Sequence, residues 1–122
     1  MTRFDWLPLA LLSLLLSCSG SVDPDPPHVQ GVRVDVVEGT IPDIQRAMQE
    51  GRVTARELIE AHLLRIALYE ERINAAIAVN ADALATADRL DRERAEGRVR
   101  GPLHGIAVAL KDNIQTTDMA TT

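Results

Sequence analysis

Lys111, Asp112 and Asn113 follow directly on an apolar run at 106–110 (IAVAL). A lysine at the end of a buried strand must be solvated, paired, or stripped of its proton. Burial moves a lysine pKa down from about 10.4, and a neutral lysine can serve as a general base. A strand-end lysine paired with Asp112 or another neighbour explains the same residues, so their types and spacing leave both readings open. A Schiff-base use of Lys111 would need a carbonyl-binding pocket, for which no residues are visible. The other nucleophilic groups lie far upstream. The serines are Ser13, Ser17, Ser19 and Ser21, and none follows Lys111. Cys18 is the only cysteine, so no intramolecular disulfide can form, and an odd cysteine in an exported chain needs some use. His28 has no neighbouring ligands, His62 falls within a helical pattern, and His104 sits in turn chemistry (Gly101-Pro102-Leu103-His104-Gly105). No metal-ligand spacing, phosphate-cradling loop or nucleotide site is visible. No cofactor is expected.

The elements that must position Lys111 are three helices and two short strands. Thr40 can cap a helix beginning at Ile41, with Pro42 and Asp43 in its first turn. Ile41, Ile44 and Met48 mark its apolar face, and Gly51 ends it as a left-handed cap. Thr54 and Glu57 form a capping box for a longer helix, which runs to about Arg72 with Ile59, Leu63 and Ile66 on one face. Residues 74–80 (NAAIAVN) read as a buried strand. Residues 81–96 read as an alanine-rich helix with Ala83, Ala87 and Leu90 as its stripe and Gly97 as its stop. Its charged residues, among them Asp82, Asp88, Asp91, Glu93, Arg94 and Glu96, read as a solvated face of mixed ion pairs. Residues 106–110 then form a strand buried on both faces. Helices alternating with buried strands predict the α/β class.

The chain opens differently. Residues 6–16 (WLPLALLSLLL) are an apolar run preceded by Arg3. A membrane-spanning helix needs roughly 20 apolar residues, so the run suits the apolar region of an export signal over 1–17. A buried core helix is the competing reading, disfavoured by the Ser-Cys-Ser-Gly-Ser that follows. Leu15-Leu16-Ser17-Cys18 resembles a bacterial lipobox, which makes Cys18 a lipidation site and anchors the chain to a membrane. Cleavage after Ser19 or Ser21 would instead leave a soluble exported protein. Residues 18–30, rich in Ser, Pro and Asp, read as a solvated tether, and 31–122 as the domain proper. Thirteen basic residues against 18 acidic give a net charge of −5, which speaks against nucleic acid as a partner. Only three rings are present, Phe4, Trp6 and Tyr69, too few for base stacking.

The string from Gly101 to Ile114 (GPLHGIAVALKDNI), followed by Thr116 to Thr122, resembles the first signature block of the amidase signature family of hydrolases. The resemblance extends back to about Val36. Ala107 and Ala120 stand where that family commonly has proline. The resemblance implies an incomplete mixed sheet flanked by helices and the hydrolysis of a carboxamide, in a small molecule or a peptide, to an acid plus ammonia or amine. It also implies a Ser–cis-Ser–Lys triad whose lysine falls on Lys111, with Asp112 and Asn113 supporting the loop and His104 as a structural turn residue. The two serines of that triad come after the lysine, so the chain reads as the N-terminal part of a longer amidase, inactive alone. A non-enzymatic exported lipoprotein or interaction module is the alternative. The sequence does not speak to oligomeric state.

Overall fold

The computed structural model describes residues 34–121, and the expected signal over 1–17, the lipidation site Cys18 and the tether over 18–30 lie outside them. Three helices follow in order: α1 Ile41–Gln49, α2 Ala55–Ile73 and α3 Ala83–Ala95.

Local chemistry sets the helix ends. Thr40 caps α1 by accepting the Asp43 N–H, with Pro42 in the first turn. Gly51 then takes φ +67. Its N–H reaches the Met48 carbonyl and that of Arg52 reaches the Ala47 carbonyl, the double bond of a Schellman stop. Gly97 stops α3 in the same way, with Arg98 N–H on the Glu93 carbonyl. At α2, Thr54 accepts the Glu57 N–H at 3.1 Å while the Glu57 carboxylate accepts the Thr54 N–H at 2.8 Å. Asn74, which the sequence placed at the start of a strand, instead closes α2 in the left-handed conformation.

The core lies where α1, the N-terminal half of α2 and α3 meet. Ile44, Ala47, Met48, Val53, Ala55, Leu58 and Ala87 form it, with Ile59 and Ile106 packed at its edge. Two of the three expected faces are shifted. Ile41 is exposed, although Ile44 and Met48 on its predicted face are buried. On α2 the buried positions are Ala55, Leu58 and Ala61, whereas Leu63 and Ile66 are half-buried. Small side chains there admit close packing, and no residue of α2 beyond Ala61 is buried.

Both expected strands are absent among the described residues. Residues 74–80 and 106–110 hold no regular structure, and Ile77, Val79, Val108 and Leu110 are all exposed, so the expected burial does not occur. The reason is pairing: a strand exists only by bonding its backbone to a neighbour. In the first segment the Ala76 N–H goes to the Glu70 carboxylate of α2 at 3.0 Å instead. The sheet expected of the α/β class is therefore not formed within the described residues.

Candidate active-site segment and the turn that holds it

The segment carrying Lys111 is anchored at its N-terminal end by the His104 turn. His104 is 5% exposed, the one buried polar residue among those described. Its Nε2 lies 2.9 Å from the Leu90 carbonyl of α3, and its Nδ1 accepts the Arg100 N–H at 3.3 Å. A carbonyl requires a donor and an N–H requires an acceptor, so the ring is the neutral tautomer with its proton on Nε2. The His104 carbonyl accepts two further bonds, from Gln45 Nε2 of α1 at 2.9 Å and from Arg94 of α3 at 3.0 Å. One residue thus ties both flanking helices to the turn. This agrees with its structural role in the resemblance.

Gly105 completes the turn. Its φ is +82, and a Cβ there would stand 3.0 Å from the Ala55 Cβ and 3.4 Å from the Met48 sulfur. The residue must be glycine for both backbone shape and space. Ile106 then packs against the core, and residues 108–111 are exposed, with Val108 62% and Leu110 54% accessible.

Lys111 is exposed, Asp112 half-buried and Asn113 exposed. The Ile114 N–H bonds the Lys111 carbonyl at 2.9 Å, which turns the chain at these three residues. Beyond them, Thr116 Oγ1 bonds both the N–H and the carbonyl of Met119 at 3.2 Å. Asn80 Nδ2 donates to the Asp118 carboxylate at 2.7 Å. That bond joins the end of one expected strand to the loop after the other. Lys111 lines neither the concavity beside Ile41 and Val99 nor the one beside Asp35 and Arg52. No group of three or more His, Cys, Asp or Glu among the described residues could hold a metal ion. No helix among them is long and apolar enough to cross a membrane.

The charged side of α3 is not simply a solvated face. Asp91 turns toward α2 and accepts the N–H groups of Ala55 at 2.7 Å and Arg56 at 3.0 Å, capping that helix from outside. Asp88 pairs with Arg56 at 2.7 Å. Arg94 reaches α1 and the His104 turn. Glu93 does follow the ion-pair expectation: the Arg100 guanidinium donates to it and holds its carboxyl below the usual range. Asp88, Asp91 and Arg94 recur every three residues, a spacing that marks one helix face. That was the available signal, masked by the number of charges around it. Gln45, Asn80 and Asp118 carried no signal at all, because their partners lie 38 to 59 residues away.

Comparison with known proteins places the chain in a family. The amidase family pattern matches residues 57–122, more than half of the chain, so the chain belongs to the amidase family. It is 43% identical over 84 residues to one of the subunits of glutamyl-tRNA(Gln) amidotransferase from Synechococcus sp. (strain CC9605), covering 68% of this chain and 17% of that one. It is 37% identical over 89 residues to the Streptomyces coelicolor counterpart, covering 72% and 18%. Among solved structures it superposes on the native peptide amidase of Stenotrophomonas maltophilia with a TM-score of 0.68 and 45% identity, covering 70% of this chain and 18% of that one. The chain therefore spans less than a fifth of the length of these relatives.

Proposed function

We propose that this chain supplies the N-terminal part of an amide hydrolase whose general base is Lys111. The observation that carries the reading is the unbroken Gly-Pro-Leu-His-Gly to Lys-Asp-Asn string over 101–113, inside the family match and held by the His104 turn. The reaction is hydrolysis of a carboxamide to a carboxylate plus ammonia or amine. In the Ser–cis-Ser–Lys scheme, Lys111 Nζ takes a proton from the bridging serine, which takes one from the nucleophilic serine as that oxygen attacks the carbonyl. The proton then passes back to the leaving amine, and water releases the acyl group by the same relay. Asp112 and Asn113 shape the turn that holds the lysine. On this proposal the 122-residue polypeptide alone is inactive, because the scheme needs two serines after the lysine and residues 112–122 hold none. In the complete enzyme, 106–110 and 74–80 become strands once neighbours supply ladder partners.

The substrate class is a small carboxamide or a peptide amide. A peptide amidase among the similar structures was solved with the competitive inhibitor chymostatin, which supports the peptide side. The apolar run ahead of Cys18 favours export, and lipidation of Cys18 would anchor the protein in a bacterial envelope. That location argues against a role in tRNA-linked amidation, because charged tRNA is cytoplasmic.

The test is a chimera in which residues 34–122 replace the matching segment of the Stenotrophomonas maltophilia peptide amidase, assayed for ammonia release from a peptide amide. Hydrolysis is expected, and Lys111→Ala should lower it by about 10²- to 10⁴-fold. An active chimera that Lys111→Ala leaves undiminished would overturn the role of the lysine. The 122-residue chain should release no ammonia, and release that vanishes in Lys111→Ala would refute its inactivity.

A further inference from the structure

A groove of about 660 Å³ runs beside the His104 turn, within the usual size range of small-ligand sites. Its apolar walls include Ile41, Pro42, Val99 and Pro102, and Gln45, Gln49 and Arg94 supply its polar side chains. Ile41 and Val99 are 43% and 47% exposed, so these walls are open to an occupant.

Arg94 differs from Arg89 and Arg92 on the same helix, which also form no ion pair among the described residues, in being held by three acceptors. Arg46, Arg52, Arg56, Arg98 and Arg100 each meet a carboxylate. Arg94 meets none among the described residues. Its one bonded nitrogen donates to three neutral acceptors: Gln45 Oε1 at 2.8 Å, the His104 carbonyl at 3.0 Å and Met48 Sδ at 3.5 Å. A guanidinium has five N–H donors, and one nitrogen supplies two of them. Nε–H and the second amino group are left over. The cation is thus fixed in place and lacks an anion.

We propose that this groove binds the C-terminus of a peptide with an apolar last residue. The carboxylate pairs with the remaining donors of Arg94, and the side chain lies on Ile41, Pro42, Val99 and Pro102. A guanidinium fork matches a carboxylate in two parallel bonds. Arg94 is already held by Gln45 and His104, so little of its side-chain freedom is left to lose on binding. The site is separate from Lys111 and does not depend on amide hydrolysis.

The experiment is an NMR titration of the ¹⁵N-labelled full chain with N-acetyl-leucine and, separately, with N-acetyl-leucinamide. The carboxylate should shift the amides of 41–49 and 99–102, and the amide analogue should bind about ten- to a hundredfold more weakly. Arg94→Gln should remove the preference, although it also loosens the His104 turn. Val99→Asp keeps the test independent of folding, because Val99 is a half-exposed wall residue outside the turn's hydrogen bonds. That variant should keep the rest of the spectrum and lose binding at least tenfold. Equal binding of the two probes, no shift with either, shifts away from the groove, or undiminished binding by Val99→Asp would each overturn the proposal.

Discussion

The half of the molecule around the His104 turn and the half that carries Lys111 are built on opposite terms. Around the turn, Leu58 and Ala47 are fully buried and His104 has every ring nitrogen bonded. The run 106–110 is as apolar as any core, yet its Val108 and Leu110 are more than half exposed. Composition does not separate the two. The available partners do. Helices close their own backbone bonds and need only a stripe of cover, whereas an apolar strand needs a neighbouring strand to pair with before it can bury a face.

That contrast gives the largest expected effect. Leu58→Ala should cost about 2–5 kcal/mol, because it empties a fully packed position. Val108→Ala should cost less than about 0.5 kcal/mol, as at an exposed site. Urea denaturation of the 122-residue chain measures both, and similar costs would break the distinction between the halves.

Gly105→Ala sharpens the boundary between them. The added methyl meets Ala55 at 3.0 Å on a backbone of φ +82, so a loss of about 1–3 kcal/mol is expected. Gly97 has a similar φ of +76 but open space around it. Gly97→Ala should therefore cost only the backbone share, about 1–2 kcal/mol. Equal losses in thermal melts would show that the turn is not packed as tightly as its geometry implies.

The smallest effect belongs to His62 on α2. Burial, and then the nearby Arg65, lower its pKa from the ordinary value of 6.5. The unfolded chain consequently takes up a proton more readily than the folded one. Stability should be unaffected by this group above about pH 6.5 and should fall as pH drops below it, levelling off once the folded form also protonates. His62→Gln should remove that share of the pH dependence. A variant whose stability falls just as steeply between pH 7 and 5 would show that other groups account for it.

The helices were legible from the sequence because their signals are local. Thr40, Pro42, Gly51, the Thr54–Glu57 box and Gly97 act within a turn or two of themselves, and each appears where its residue type put it. The helix faces were less legible. Periodicity favoured Leu63 and Ile66, whereas packing chose Leu58 flanked by the small Ala55 and Ala61, which let the neighbouring elements approach closely. Residues 74–80 and 106–110 read as strands on hydrophobicity, a signal that says an element wants cover and not whether it finds any among residues 34–121.

By itself, the sequence determined the helix starts at Thr40 and Thr54, the stops at Gly51 and Gly97, the turn at 101–105, the family string ending in Lys111-Asp112-Asn113 and the net negative charge. Only the tertiary structure decided that His104 is neutral and bonded on both nitrogens, that Asp91 caps a helix other than its own, that Asn80 meets Asp118, and that Arg94 lines a groove without a carboxylate. The physical reason is range. Caps, stops and dihedral preferences are fixed by residues three or four positions apart, and any reader of the chain can apply them. A charge 49 residues from its partner acquires its meaning only when packing of the intervening helices brings the two together.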